Sequence, residues 1–222
     1  MKNDPASGQE ILSYREPAGP ASYQEKIQRS LFTGWAGPCH DEIEARELLT
    51  RVRAEHRDAT HNCWGYLLGP QPVSEYSSDD GEPSGTAGRP ILGAVHRSGI
   101  LNVIVIVTRY FGGVKLGVRG LIEAYGGVAT RTLDALEIRE RVPTRLITVR
   151  LPWSAVGVAA RLLEDHGGDG MAWDYGEGTI GVSVMARVPV ISVEALSQTL
   201  ERLRAQGTIM SWSLGDAVNS RS

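Results

Sequence analysis

The sharpest change of pattern in the chain falls in Leu101–Gly120, LNVIVIVTRYFGGVKLGVRG. Leu101 to Val107 is almost continuously apolar and rich in branched residues, which predicts a strand covered on both faces. Thr108, Arg109 and Tyr110 turn polar at once, and Gly112-Gly113 permit a close approach of ligand or chain. From Leu116 the apolar residues recur at helical spacing (Leu121, Ile122, Tyr125, Val128, Ala129, Leu133, Leu136), so the stretch predicts strand, glycine loop and amphipathic helix in succession. Binding sites commonly sit at such junctions, and Lys115 and Arg119 lie at the helix entrance, where free backbone N–H groups favour an anion.

On the N-terminal side, residues 1–20 lack periodicity and read as a flexible tail, with a short strand at Ile11–Tyr14. Tyr23–Ala36 predicts one or two strands, Asp41–Arg57 a helix with acidic residues at its positive end, and Asn62–Leu68 a short strand. Gly69–Gly88 carries turn formers and little else, the pattern of a long functional or mobile loop. Pro90–His96 predicts a short helix closed by Gly99. Beyond Leu136 the order is strand (Val142–Leu151), helix (Ser154–His166), two strands (Met171–Tyr175 and Thr179–Val188), helix (Val193–Arg204) and strand (Thr208–Leu214). That βαββαβ order is the ferredoxin-like arrangement. The expected organisation is therefore a tail at 1–20, a first domain at 21–139 and a second at 140–215.

Composition narrows the classes. The 222 residues are 41% hydrophobic and 22% charged with net charge −3, enough for two small cores and too acidic for a bulk electrostatic binder of nucleic acid. No run approaches the ~18 apolar residues of a membrane helix, the start MKNDPASGQE is no signal peptide, and two cysteines make no disulfide framework. A cytoplasmic protein without membrane contact is expected. Charge is nonetheless uneven. Between Glu82 and Glu123 there is no acidic residue, while Arg89, Arg97, Arg109, Lys115 and Arg119 all fall there.

Several groupings invite chemistry. Cys39-His40 and His61-x-Cys63 are of zinc-ligand type but match no common spacing, so no metal is expected. Asp79, Asp80 and Glu82 offer carboxylates for a cation or for acid–base work, although neighbours on an extended chain point opposite ways and Asp80-Gly81 equally suits a turn. GEPSGTAG resembles a phosphate-cradling loop in composition but lacks the Gly-Lys-Ser/Thr of a P-loop and follows no strong strand. His61 and Cys63 can share one side of a strand, but no oxyanion hole or orienting third group accompanies them.

Taken together, ATHNCWGY (Ala59–Tyr66), SSDDGEPSGTAGRPIL (Ser77–Leu92) and NVIVIVTRYFGGVKLG (Asn102–Gly117) resemble the IMPACT/YigZ family in order, spacing and length. The likeness runs from about Gln28 to Leu136, and the C-terminal βαββαβ segment is similar to the second domain of bacterial members. The resemblance implies an α+β protein of two domains. The first would be like ribosomal protein S5 domain 2, a fold shared with domain IV of elongation factor G. The second would be ferredoxin-like, as in domain V of that factor. It also implies translation regulation, since eukaryotic relatives act through protein partners and ribosomes. One departure stands out: Val118-Arg119 replaces the Thr-Gly that usually continues the glycine motif. Arg119 would crowd a site needing close backbone approach, or strengthen one that binds phosphate.

The expected function is accordingly a non-enzymatic accessory of translation, without cofactor, that binds RNA or the ribosome. Arg89, Arg109, Lys115 and Arg119 would contact phosphates beside Gly112 and Gly113, with Tyr110 or Phe111 stacking on a base. Replacing Arg109 and Lys115 with Glu should then weaken RNA binding and leave the fold intact. The alternative is a metal-assisted enzyme acting on a phosphorylated small molecule or nucleic acid through Asp79, Asp80 and Glu82. A protein partner for the C-terminal domain is a third reading.

Overall fold

The computed structural model describes residues 13–70, 73–176 and 181–218 of a mixed α/β chain. The tail at 1–12, most of the expected strand at Ile11–Tyr14, and Thr179-Ile180 lie outside the described residues. The chain divides into two units, one spanning Tyr14–Arg141 and the other continuing from Val142.

The first unit runs β1 (Tyr14–Pro17), β2 (Ala21–Ile27), β3 (Ser30–Pro38), α1 (Glu42–Glu55), β4 (His61–Leu68), β5 (Ser74–Ser78), α2 (Gly88–Ser98), β6 (Val103–Tyr110), α3 (Gly117–Asp134) and β7 (Ile138–Arg141). Five strands pair antiparallel in the order β2-β3-β6-β4-β5. The branched run of β6 is the middle strand, and Val103–Arg109 is buried throughout, as a strand covered on both faces requires. Alternation sends Ile104 and Ile106 to one face, where they pack with Leu48, Leu49 and Val52 of α1. Val103, Val105, Val107 and Arg109 face the other side, under α2 and α3. Asp41 is the cap of α1, accepting the Glu44 N–H at 2.8 Å.

Two strands were not legible in the pattern. β5 crosses the segment expected to be all loop; Ser, Glu and Tyr give it little strand signal, and it forms because β4 offers an edge to pair with. β7 pairs antiparallel with β1 as a separate two-stranded sheet. Glu16 of β1 is 1% exposed and receives hydrogen bonds from Asn102 Nδ2 (3.0 Å), Arg139 Nε (2.8 Å) and Arg141 Nε (2.7 Å). Residues 14–17, expected within a flexible tail, are thereby fixed to the segment 138–141.

In the second unit β8 (Thr144–Leu151), a 3-10 turn (Trp153–Ala155), α4 (Val156–Asp165), β9 (Asp169–Asp174), β10 (Val182–Pro189), α5 (Val190–Ala205) and β11 (Ser211–Val218) follow one another. The sheet is antiparallel with order β11-β8-β10-β9. Ile147, Val149 and Leu151 of β8 meet Leu163 of α4 and Leu196 and Leu200 of α5 in one core.

Candidate functional site

One end of the five-stranded sheet gathers most of the residues singled out from sequence. There β3 starts at Ser30, β4 starts at His61, β5 ends at Ser78 and β6 ends at Tyr110. Three connections leave this end: the turn Gln28-Arg29, the loop Asp79–Ala87 and the loop Phe111–Leu116.

Beneath these loops lies a buried polar cluster. Arg109 is 5% exposed; its NH1 donates to Glu82 Oε1 at 2.6 Å, and its Nε and NH2 reach Ser30 Oγ at 3.4 and 3.2 Å. The Tyr125 hydroxyl donates to the same Glu82 oxygen at 2.8 Å, and His61 Nε2 stands 3.9 Å from it. Burial pushes the Tyr125 hydroxyl far up, so it stays protonated and donating. The Arg109 guanidinium also lies over the Phe32 ring (5.5 Å) and the Phe111 ring (5.3 Å). A surface role for Arg109 is thereby corrected. The side chain is buried and ion-paired, and Arg109→Glu would set two carboxylates together in the core instead of leaving the fold intact.

The three carboxylates are spent inside the protein. Asp79 Oδ1 accepts the N–H groups of Ala87 and Gly88 (2.9 and 2.8 Å), and Oδ2 accepts that of Gly85 (2.8 Å). Burial alone would raise this carboxyl. The three N–H donors and the nearby Arg89 charge outweigh it and hold Asp79 below its ordinary value. The start of α2, which composition likened to a phosphate cradle, thus already holds an internal anion. Asp80 pairs with Arg53 and accepts the Asn62 N–H at 2.7 Å. With φ of 42° at Asp80 and 89° at Gly81, the Asp-Gly pair makes the tight turn closed by Glu82 N–H to Asp79 O (3.0 Å). Glu82 is held by Arg109 and Tyr125. Among the described residues no three His, Cys, Asp or Glu gather where a metal could sit. Asp79, Asp80 and Glu82 therefore do not converge as the enzymatic alternative required.

Cys63 donates to Asp79 O at 2.9 Å, and burial pushes its thiol up to about 12. His61 directs Nδ1 to Asp80 O at 2.8 Å, so neither residue is arranged as a nucleophile–base pair. Cys39 packs with the α1 core while Cys63 faces Tyr125, which separates the two zinc-type pairs.

The other expected contacts divide cleanly. Arg89 and Lys115 are exposed and make no ion pair among the described residues. The Arg119 side chain is 92% exposed and pairs with Glu123 at 2.9 Å, one helical turn away. Arg97, the remaining basic residue of that interval, lies at the far end of α2 in a shallow groove with Glu123, Arg131 and Asp134. Tyr110 is half-buried with its hydroxyl 2.7 Å from His56 Nδ1, which leaves stacking to Phe111, 45% exposed. Gly113 is exposed beside it. Gly112 has a packing reason: a Cβ there would stand 1.7 Å from the Arg29 carbonyl oxygen, so only glycine lets this loop lie on the β2–β3 turn. That contact adds Arg29 to the site, an exposed cation without an ion pair among the described residues. Sequence reasoning missed it because Gln28-Arg29 carries no motif. Tyr125 was legible only as one more apolar position on α3.

Residues 28–133, which carry this end of the sheet, match the Impact N-terminal domain. The chain belongs to the IMPACT family. It is 34% identical over 165 residues to the family member YigZ of Escherichia coli (strain K12), covering 73% of this chain and 81% of that one. It is 37% identical over 147 residues to YvyE of Bacillus subtilis (strain 168), covering 66% and 68%. A crystal structure described only as a hypothetical protein superimposes with a TM-score of 0.68 at 30% identity, over 96% of this chain and all of that one. Among the described residues no helix is long and apolar enough to cross a membrane.

Proposed function

We propose that this protein is a non-catalytic accessory of translation that binds RNA or the ribosome through the loop end of its first sheet. The supporting observation is the opposite treatment of the two charge signs. Asp79, Asp80 and Glu82 are consumed by internal donors, while Arg29, Arg89 and Lys115 stand exposed without ion pairs among the described residues. An overall acidic chain thereby presents a local cationic rim, which suits a phosphate backbone. Arg119 adds to it only in part, since Glu123 shares its charge. On this reading the first unit is an S5 domain 2-like fold, and the second, with its βαββαβ order, is ferredoxin-like and free to meet a protein partner. The setting is cytoplasmic. With its carboxylates engaged, the loop at Asp79–Gly88 serves as a rigid support for the rim.

The test is co-sedimentation with ribosomes from the same organism across a salt series, beside the Arg29→Gln/Arg89→Gln/Lys115→Gln variant. Arg109 is left in place so that the core survives. Salt-sensitive co-sedimentation that weakens in the variant is expected, each lost phosphate contact lowering the log–log salt slope by about 0.7 to 0.9. Absence of co-sedimentation at low salt removes the ribosome as partner, and unchanged co-sedimentation of the variant overturns the assignment to the rim.

A further inference from the structure

We infer that the RNA segment seated on this rim is single-stranded, with one unpaired base stacked on the outer face of Phe111. The inference rests on the RNA-binding reading above and names the form of RNA that the site selects.

A phenylalanine beside a mobile loop is ordinarily a poor landing surface, because ordering it on binding costs conformational freedom. Phe111 is already ordered. Its N–H donates to Thr60 Oγ1 at 3.0 Å, and the next residue, Gly112, is pressed on the Arg29 backbone. The ring rests on the Arg109 guanidinium, which lies also over Phe32 and is fixed from below by Glu82 and Ser30. Glu82 is itself held by Tyr125. The buried polar cluster thus acts as a pedestal for a ring that still leaves 45% of its residue surface open.

The surroundings select the ligand. Exposed cations belong to the same two connections: Arg29 in the turn that Gly112 touches, and Lys115 four residues further along the loop from Phe111. Aromatic ring plus flanking cations is the recognition chemistry of unpaired nucleotides, whose bases are free to stack while their phosphates meet the charges. A duplex keeps its bases stacked on one another and offers only its backbone, so it would use the cations and leave the ring idle. Tyr110 makes a poor second platform: it alternates to the opposite face of β6 from Arg109, is half-buried, and packs its ring edge-to-face on His56 (centroids 6.0 Å apart). A single stacked base is therefore expected.

The test is fluorescence anisotropy of the full chain with a labelled single-stranded oligouridine and with an RNA duplex of equal length. Phe111→Ala, Phe111→Leu and Phe111→Trp are measured beside the unaltered protein. The leucine variant keeps apolar cover over Arg109 but has no aromatic face, so it reports stacking even if the alanine variant is destabilised. Expected is tighter binding of the single strand than of the duplex. Ala and Leu should weaken the single strand about tenfold or more, Trp should retain it, and the salt slope should stay unchanged. Duplex binding should be the same in all four. Equal single-strand affinity in the leucine variant overturns the inference, as does equal loss for both RNAs. A protein that sediments with ribosomes but binds neither oligonucleotide also overturns it, while leaving ribosome association standing. Failure of both assays removes the reading it rests on.

Discussion

Burial pushes the thiols of Cys39 and Cys63 up to about 12, Cys63 despite the Tyr125 hydroxyl beside it. At neutral pH both are protonated and enclosed, and the reactive thiolate is missing. The folded protein should therefore leave both cysteines unlabelled by a thiol-specific chromogenic reagent at pH 7.5, and unfolding in guanidinium should release two equivalents. One rapidly reacting thiol in the native state would contradict this placement of Cys63. Arg109 teaches the same lesson at the level of one side chain. Its neighbours in sequence, Thr108 and Tyr110, mark the polar end of a strand, but its place in the alternation with Val103, Val105 and Val107 puts it under α3. Partners 27 and 79 residues away, Glu82 and Ser30, turn a nominal surface cation into the support of Phe111.

Among the elements, the pairing of β1 with β7 depends on one carboxylate. Burial alone would raise Glu16, but hydrogen bonds from Arg141, Asn102 and Arg139 hold it below its ordinary value of 4.5. His40 Nε2 stands 3.9 Å from the same group. A carboxyl with a depressed folded value stabilises fully above its unfolded value, and that contribution fades as pH falls through the folded one. Glu16→Gln should accordingly cost about 3 kcal/mol at pH 7 by leaving Arg139 and Arg141 without their anion. The difference from the unaltered protein should shrink steadily below pH 4.5. Urea denaturation at pH 7 and pH 3.5 checks both points; a pH-independent difference would show that the carboxylate charge is not what holds β7. The loop Asp79–Gly88 follows the same logic, one carboxylate organising three N–H groups ahead of α2.

On the scale of the molecule, each unit carries its own core, Ile104 and Ile106 against α1 in one, and Leu163, Leu196 and Leu200 against β8 in the other. The fragment 14–141 retains both β1 and β7, and with them the Glu16 cluster. It should fold alone, with a cooperative thermal transition within about 5 °C of that of the same unit in the full chain. A fragment beginning at residue 21, where the sequence pattern alone would cut, should be markedly less stable. Circular dichroism of the two fragments decides between these boundaries. Their difference isolates what residues 14–17 add.

What the sequence determined by itself was periodic or compositional: the doubly covered strand β6, the helices α1 to α5, the βαββαβ order after Arg141, and the presence of a glycine loop flanked by cations. Period and turn chemistry are local properties, and Val, Ile and Leu at the right spacing carry them whatever the rest of the chain does. The short strands β5 and β7 were illegible because their stability comes from the partner strand and not from their own residues. The site was half legible for the same reason. Lys115, Arg89 and Phe111 lie exposed, where a binding role needs them to be. Arg109, Asp79, Asp80 and Glu82 exchanged theirs, because a charged side chain is a ligand for solvent or for its own fold according to what distant residues bring beside it. Only the tertiary structure decides that, since burial, not residue type, sets whether a charge must find its partner inside.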